Sequence, residues 1–242
     1  MDKCTFEPGS FRHRNGRVFY IEGATYRALS DKAFTDWQAL SATRFYTRFA
    51  GSGKIIHTER VEKDRVNGVS RHADGWAAFL QHQTIPYISY PYEWSFSMLK
   101  DAALLQLELL VAALDEEMIL KDSSAYNVQW QGARPVFIDI PSFEVLSPGE
   151  PWVGYRQFCQ LFLYPLFLQA YKNVEFHPWL RGSIDGIDPV QINNLMSLRD
   201  RLRPGILTNV YLQAKLQTKF GGLNKDVKTD LKKAGFSKQL IL

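Results

Sequence analysis

Apolar residues recur at three- and four-residue intervals across 95–118, at Phe96, Leu99, Ala103, Leu107, Leu110 and Leu114. This period predicts the longest helix of the chain, with that stripe in the core. Upstream the pattern is shorter and punctuated. Asn15-Gly16 and Glu22-Gly23 read as tight turns around 17–21 and 24–29, which predicts a small antiparallel sheet of three short strands. Ser30-Asp31 is a helix-capping pair, and a helix is expected from there through Phe34, Trp37, Leu40 and Phe45 to the break at Gly51-Ser52-Gly53. Residues 54–58 read as a further strand, and the polar, aperiodic stretch 62–75 as an exposed loop.

The aromatic run 84–94 is interrupted by Pro86 and Pro91, so it is expected to be an extended connection between two parts of the chain. After the long helix come two short apolar runs, around 128–131 and 135–138, separated by a turn. A helix is expected to open near Pro151, a residue suited to a first helical turn. The aromatic density from Trp152 to Tyr171 reads as core. Further helices are expected from Asp188-Pro189 and over 204–220, the last ended by Gly221-Gly222. The elements predict an α+β chain, with a small N-terminal part over 1–92 (sheet plus one helix) and a mostly helical part over 93–242.

Composition narrows the class. The 242 residues are 45% hydrophobic and 14% aromatic, enough to bury a substantial core. The net charge of +4 comes from Lys and Arg scattered among 25 acidic residues. The exception is the accumulation of Lys225, Lys228, Lys232, Lys233 and Lys238. A solvated helix face is the expectation for such a run, so no nucleic-acid partner is expected. The cysteines are Cys4 and Cys159, which indicates neither a disulfide framework nor a zinc site. The first residues lack the regions of a signal peptide. The most apolar window, 158–170, contains Gln160 and Pro165 and is shorter than the ~20 residues of a membrane helix. A soluble, cytoplasmic protein with no membrane partner is expected.

The candidate chemistry lies in Leu120-Lys121-Asp122 through Asn127 and on to Asp139. One carboxylate, an amide and a second carboxylate, with strand, turn, strand between the last two, resembles the catalytic core of protein kinases and aminoglycoside phosphotransferases. That resemblance implies a kinase-like bilobal fold, ATP and Mg²⁺ as cofactors, and a small hydroxylated molecule as substrate. It implies Asp122 as the base, and Asn127 and Asp139 as metal ligands. Arg27, on the third strand, is offered where a phosphate-contacting Lys is usual, with Lys54 as the runner-up. Tyr90 and Tyr92 lie on the connection where an adenine ring is expected. Asp36 is the nearest candidate for the acidic partner on the preceding helix, although a surface Asp is the ordinary expectation. Leu120 replaces the His of the kinase motif, and Asp139-Ile140-Pro141 replaces Asp-Phe-Gly, with Pro141 stiffening the segment.

Several longer strings carry a second resemblance: Tyr90-Pro91-Tyr92-Glu93-Trp94-Ser95-Phe96, the Leu120 to Asn127 and Pro135 to Asp139 runs, Pro151-Trp152 through Cys159, and Arg201-Leu202-Arg203-Pro204. They resemble the N-terminal region of a bacterial family described as class I SAM-dependent methyltransferases, some labelled nodulation protein NoeA-like. No strand, glycine-rich turn and helix able to hold SAM follows in this chain; Gly221-Gly222 follows a helix. The resemblance therefore implies a kinase-like companion of a methyltransferase domain or partner, with SAM bound only by that separate domain. Two functions stay open: a small-molecule kinase, or a pseudokinase module that binds or orients substrate.

Overall fold

The computed structural model describes residues 4–12, 15–63, 66, 75–147, 149, 152–203 and 205–220. Five antiparallel strands open the fold: β1 (Thr5–Phe6), β2 (Gly16–Ile21), β3 (Ala24–Leu29), β4 (Thr58–Val61) and β5 (Ala78–His82), in the order β1-β2-β3-β5-β4. The β2–β3 turn is as expected. Glu22 and Gly23 take φ of 51° and 81°, the pair of positive values that a two-residue hairpin matched to strand twist requires. Asn15-Gly16 is not a hairpin turn. Gly16 is the first residue of β2, paired with Leu29, and the chain reaches it from β1 through a 3₁₀ turn at Pro8–Arg12. A Cβ at Gly16 would lie 3.0 Å from the Ala28 carbonyl oxygen, so glycine serves close strand approach there.

The two-residue strand period sorts the side chains onto two faces. Phe19, Tyr26, Ala28, Val61 and Phe79 pack together on one. Arg27 and Leu29 alternate with them on β3, and Leu80, opposite Arg27, joins Leu29 in the main core. Arg27 therefore stands on the inward face beside apolar neighbours.

Between β3 and β4 the single expected helix is two, α1 (Asp31–Ser41) and α2 (Arg44–Gly51). Ser30 caps the first as expected, accepting from Ala33 N. The break at Ala42-Thr43 has a distant cause. Thr43 caps α2, and the Glu116 carboxylate accepts from the Arg44 and Phe45 amides at 2.9 and 2.8 Å, placing negative charge at a helix N-terminus. Asp36 is buried rather than at the surface, and bonds Lys32 at 3.1 Å. The strand expected over 54–58 reduces to a parallel bridge of Ile55 with Phe137, and β4 begins at Thr58. Most of the loop expected over 62–75 lies outside the described residues.

Helix α3 (Phe96–Asp115) starts at the Ser95 cap, Oγ accepting from Met98 N. Leu99, Ala102, Leu109, Ala113 and Leu114 are fully buried on it, each buried leucine contributing on the order of 1.5–3 kcal/mol. Leu107 is not in the core: it lies with Leu104 and Val111 on the open side. At 100° per residue it sits about 80° round from Leu99. Two hairpin-like pairs follow. Strand β6 (Met118–Leu120) pairs with β9 (Phe143–Val145), and β7 (Val128–Gln131) with β8 (Arg134–Phe137), all antiparallel.

The remainder is helical. Helix α4 (Tyr155–Phe158) runs through a π-helical stretch, Cys159–Leu163, into α5 (Tyr164–Lys172). The widened turn lies just before Pro165, whose missing N–H an unbroken α-helix would need. This rod begins later than expected, and Pro151 is outside the described residues. Helix α6 spans His177–Gly182, and α7 (Pro189–Leu195) opens at Asp188 as expected. Gly186 sits between them at φ 80°, where a Cβ would be 2.3 Å from the Gln160 carbonyl oxygen. The expected helix over 204–220 is a π-helical stretch, Leu207–Leu212, followed by α8 (Gln213–Phe220). Pro204, Gly221-Gly222 and the C-terminal lysines lie outside the described residues.

One apolar cluster runs from Leu29 and Trp37 through α2, α3 and both two-stranded pairs to Leu180, so the sheet-bearing and helical parts share a core. No helix among the described residues is long and apolar enough to cross a membrane.

Candidate functional site

Two loops lie side by side because β6 pairs with β9 while β7 pairs with β8. The first, 121–127, leaves β6; the second, 138–142, joins β8 to β9. Their backbones are tied by Lys121 N to Ser142 O and Ile138 N to Asn127 O, both 2.9 Å. The first loop is held from several sides. Gln106 of α3 donates to the Ser124 carbonyl at 3.1 Å, Gln157 of α4 accepts from Ser123 N at 2.8 Å, and the Trp152 indole donates to the Leu120 carbonyl at 2.7 Å. Asp122 Oδ1 accepts from Ser124 N at 3.0 Å, the short-range turn bond that Asp forms readily. A backbone with this many fixed points holds Asp122 and Asn127 in place.

Asp139 is the centre of the arrangement. Its Oδ1 lies 2.7 Å from a terminal guanidinium nitrogen of Arg27, both side chains 10% exposed. Its Oδ2 accepts from Ser142 Oγ at 2.5 Å, and that same hydroxyl accepts from the Asn127 side-chain amide at 3.3 Å. The chain Arg27, Asp139, Ser142, Asn127 thus runs from β3 through the second loop to the first. A buried charge is tolerable only when paired and hydrogen-bonded in this way.

His82, at the end of β5, adds to the electrostatics. Thr58 Oγ1 lies 2.8 Å from its Nδ1. Burial, with the Arg27 charge beside it and a smaller opposing effect of Asp139, pushes its pKa from 6.5 down to about 3, so the imidazole is neutral at pH 7. His82 Nε2 and Arg27 Nε are both buried with no hydrogen-bond partner.

The structure brings together Arg27, Asn127 and Asp139, with Asp122 on the same loop as Asn127. Tyr90 and Tyr92 stack with ring centroids 5.4 Å apart and planes 8° apart. Burial and these two phenols raise the pKa of Tyr126, between Asp122 and Asn127. The connection carrying them forms no strand; it is irregular, with a 3₁₀ turn at Pro91–Glu93. Lys54 is elsewhere, with its ammonium 2.6 Å from Glu108 of α3. Sequence reasoning missed His82, Ser142, Gln106 and Gln157. Ser142 has a local signal, a hydroxyl three residues after an Asp; the other three act across the fold and have none.

The resemblance to kinases implies Mg²⁺ at Asn127 and Asp139, and the cation already in contact with Asp139 argues against it. Magnesium takes oxygen ligands at about 2.0–2.1 Å in near-octahedral order. Here both Asp139 oxygens are engaged, one of them by a permanent cation.

No protein-family model matches this chain. With a five-stranded sheet, two further strand pairs and helices it is a mixed α+β protein, similar over most of its length to a curated bacterial protein. That relative is the nodulation protein NoeA of Rhizobium meliloti (strain 1021), 35% identical over 213 residues. The match takes in 87% of this chain and 43% of NoeA, so the chain spans less than half the length of that relative.

Proposed function

We propose that this chain is a kinase-like domain that binds a nucleotide between its sheet and its two loops. The observation that carries this reading is the contact of Arg27 on β3 with Asp139 after β8. It joins the inward face of the sheet to the loop where a kinase-like fold keeps its phosphate machinery. The strand order with helices between β3 and β4, and the pairing of β6 with β9 and β7 with β8, support the same reading, as does the stacked Tyr90–Tyr92 pair at the expected adenine position. Arg27 supplies a planar, multiply donating cation for phosphate oxygens.

The reading favoured by Asp139 and its partners is a pseudokinase module, which binds or orients a ligand for an associated SAM-dependent methyltransferase, in a cytoplasmic setting. A second reading, phosphoryl transfer to a small hydroxylated molecule, rests on Asp122. Its carboxylate sits on a braced loop, and would take the proton of an acceptor hydroxyl.

Calorimetric titration with ATP, ADP and GTP, with and without Mg²⁺, tests binding. A ligand at ~100 times its dissociation constant should raise stability by about 2.7 kcal/mol, which a melting curve detects. Heat and melting shift absent for all three nucleotides would end the nucleotide reading. Asp122→Ala should leave binding unchanged and remove any transfer across a panel of hydroxylated metabolites. Transfer that survives this substitution removes Asp122 from the mechanism.

A further inference from the structure

The misfit at Asp139 has a direct chemical meaning. We propose that the guanidinium of Arg27 is the resident cation of this site, standing where a divalent metal would otherwise balance Asp139, and that the chain excludes Mg²⁺ and Mn²⁺ there. For its ligand this deepens the nucleotide-binding reading and rests on it; the exclusion of metal rests on the geometry alone.

Three observations carry it. Asp139 has one oxygen 2.7 Å from the guanidinium and the other 2.5 Å from the Ser142 hydroxyl, so a divalent metal there would share its carboxylate with a cation already in contact. The guanidinium is a planar fork of several donors, a shape that meets a carboxylate oxygen in a fixed geometry. The arginine is also built in: its stem packs toward Gly16, where an added Cβ would lie 3.6 Å from Cδ. Its residue stands opposite Leu80 in the β3–β5 register and is buried.

Asn127 completes the picture. Its side-chain amide is turned to Ser142, the hydroxyl already committed to Asp139. With Arg27 against Asp139, a nucleotide's phosphates would meet the guanidinium directly, without a bridging ion.

The test uses the full chain and Mn²⁺ alone, followed by paramagnetic resonance of the free ion, then ATP titrations in EDTA and in Mg²⁺. The wild-type chain should bind no Mn²⁺ at millimolar concentration. Arg27→Met should gain a Mn²⁺ site that Arg27→Met/Asp139→Asn lacks. Arg27→Gln, which keeps a polar side chain without the charge, should gain one too, also lost with Asp139→Asn, and decides the matter should the Met variant not fold. ATP affinity should agree in EDTA and Mg²⁺ for the wild type. In EDTA it should fall roughly tenfold or more in Arg27→Met. Wild-type Mn²⁺ binding that disappears in Asp139→Asn overturns the proposal, as does the absence of any gain in both folded Arg27 variants. If ATP binds in neither buffer, the nucleotide reading falls and the Mn²⁺ measurements still decide the role of Arg27.

Discussion

Ser89 and Gln129 exchange a closed pair of hydrogen bonds. The Ser89 backbone N–H donates to Gln129 Oε1 and the Gln129 side-chain amide donates to the Ser89 carbonyl, each at 3.0 Å. A side-chain amide on β7 thus does for the 84–94 connection what a neighbouring strand would do for a β-strand. Ser89 Oγ in turn accepts from the indole of Trp94 at 2.9 Å, and Trp94 meets Trp130 edge-on at 5.9 Å. The tyrosines that follow are positioned by this anchor.

Gln129→Ala should therefore destabilise the protein by about 2–4 kcal/mol, because it orphans two buried backbone groups. Gln129→Glu should be nearly as harmful, since a carboxylate cannot donate to the Ser89 carbonyl. Urea denaturation of the three proteins measures this; a loss under roughly 0.5 kcal/mol for the alanine variant would show that the pair is dispensable.

The Arg27–Asp139 pair should behave as a buried ion pair. Removing either charge alone strands the other and is expected to destabilise by about 3–5 kcal/mol. Arg27→Met combined with Asp139→Leu should lose much less than the sum of the single losses. Additive losses in a double-mutant cycle would mean that the two charges do not interact in solution.

His82 predicts an acid weakness. Its pKa is about 3 in the folded state against 6.5 for an unperturbed histidine, so between those values the unfolded chain binds the extra proton. Its contribution is whole above pH 6.5 and is lost as pH falls toward 3, at about 1.4 kcal/mol per pH unit. Stability measured by denaturant at stepped pH should fall less steeply over this window in His82→Gln. Parallel curves for the two proteins would count against a buried neutral imidazole.

The two thiols should differ in reactivity. Cys159 is fully buried and burial pushes its pKa up to about 11, whereas Cys4 is half-buried, its pKa raised by the same cause. The thiolate is the reactive form. A chromogenic disulfide reagent should label one thiol in the native protein, lost in Cys4→Ser, and reach Cys159 only in denaturant. Two fast native labels would contradict the packing around Cys159.

Local rules made several elements legible from the chain alone. Ser30, Ser95 and Asp188 cap helices where an oxygen precedes an amphipathic run, and Glu22-Gly23 turns a hairpin with Gly23 supplying a residue that adopts positive φ freely. The caps and the turn are matters of backbone geometry and of contacts within one or two turns, which a short window of sequence contains. Asp122, Asn127 and Asp139 stand out as a group by their resemblance to a kinase core, and Asn127 and Asp139 do meet through Ser142. The tertiary structure decided the rest. Glu116 splits the helix after β3 by capping Arg44 and Phe45 from the end of α3. Leu107 lost its expected core place because α3 turns a slightly different arc inward, and His82 became a buried neutral base only once β3 and β4 flanked it. Most of all, the meeting of Arg27 with Asp139 depends on folding two distant segments into contact in a medium of low polarity. There the partner of a charge is chosen by proximity in space, and no spacing along the chain encodes it.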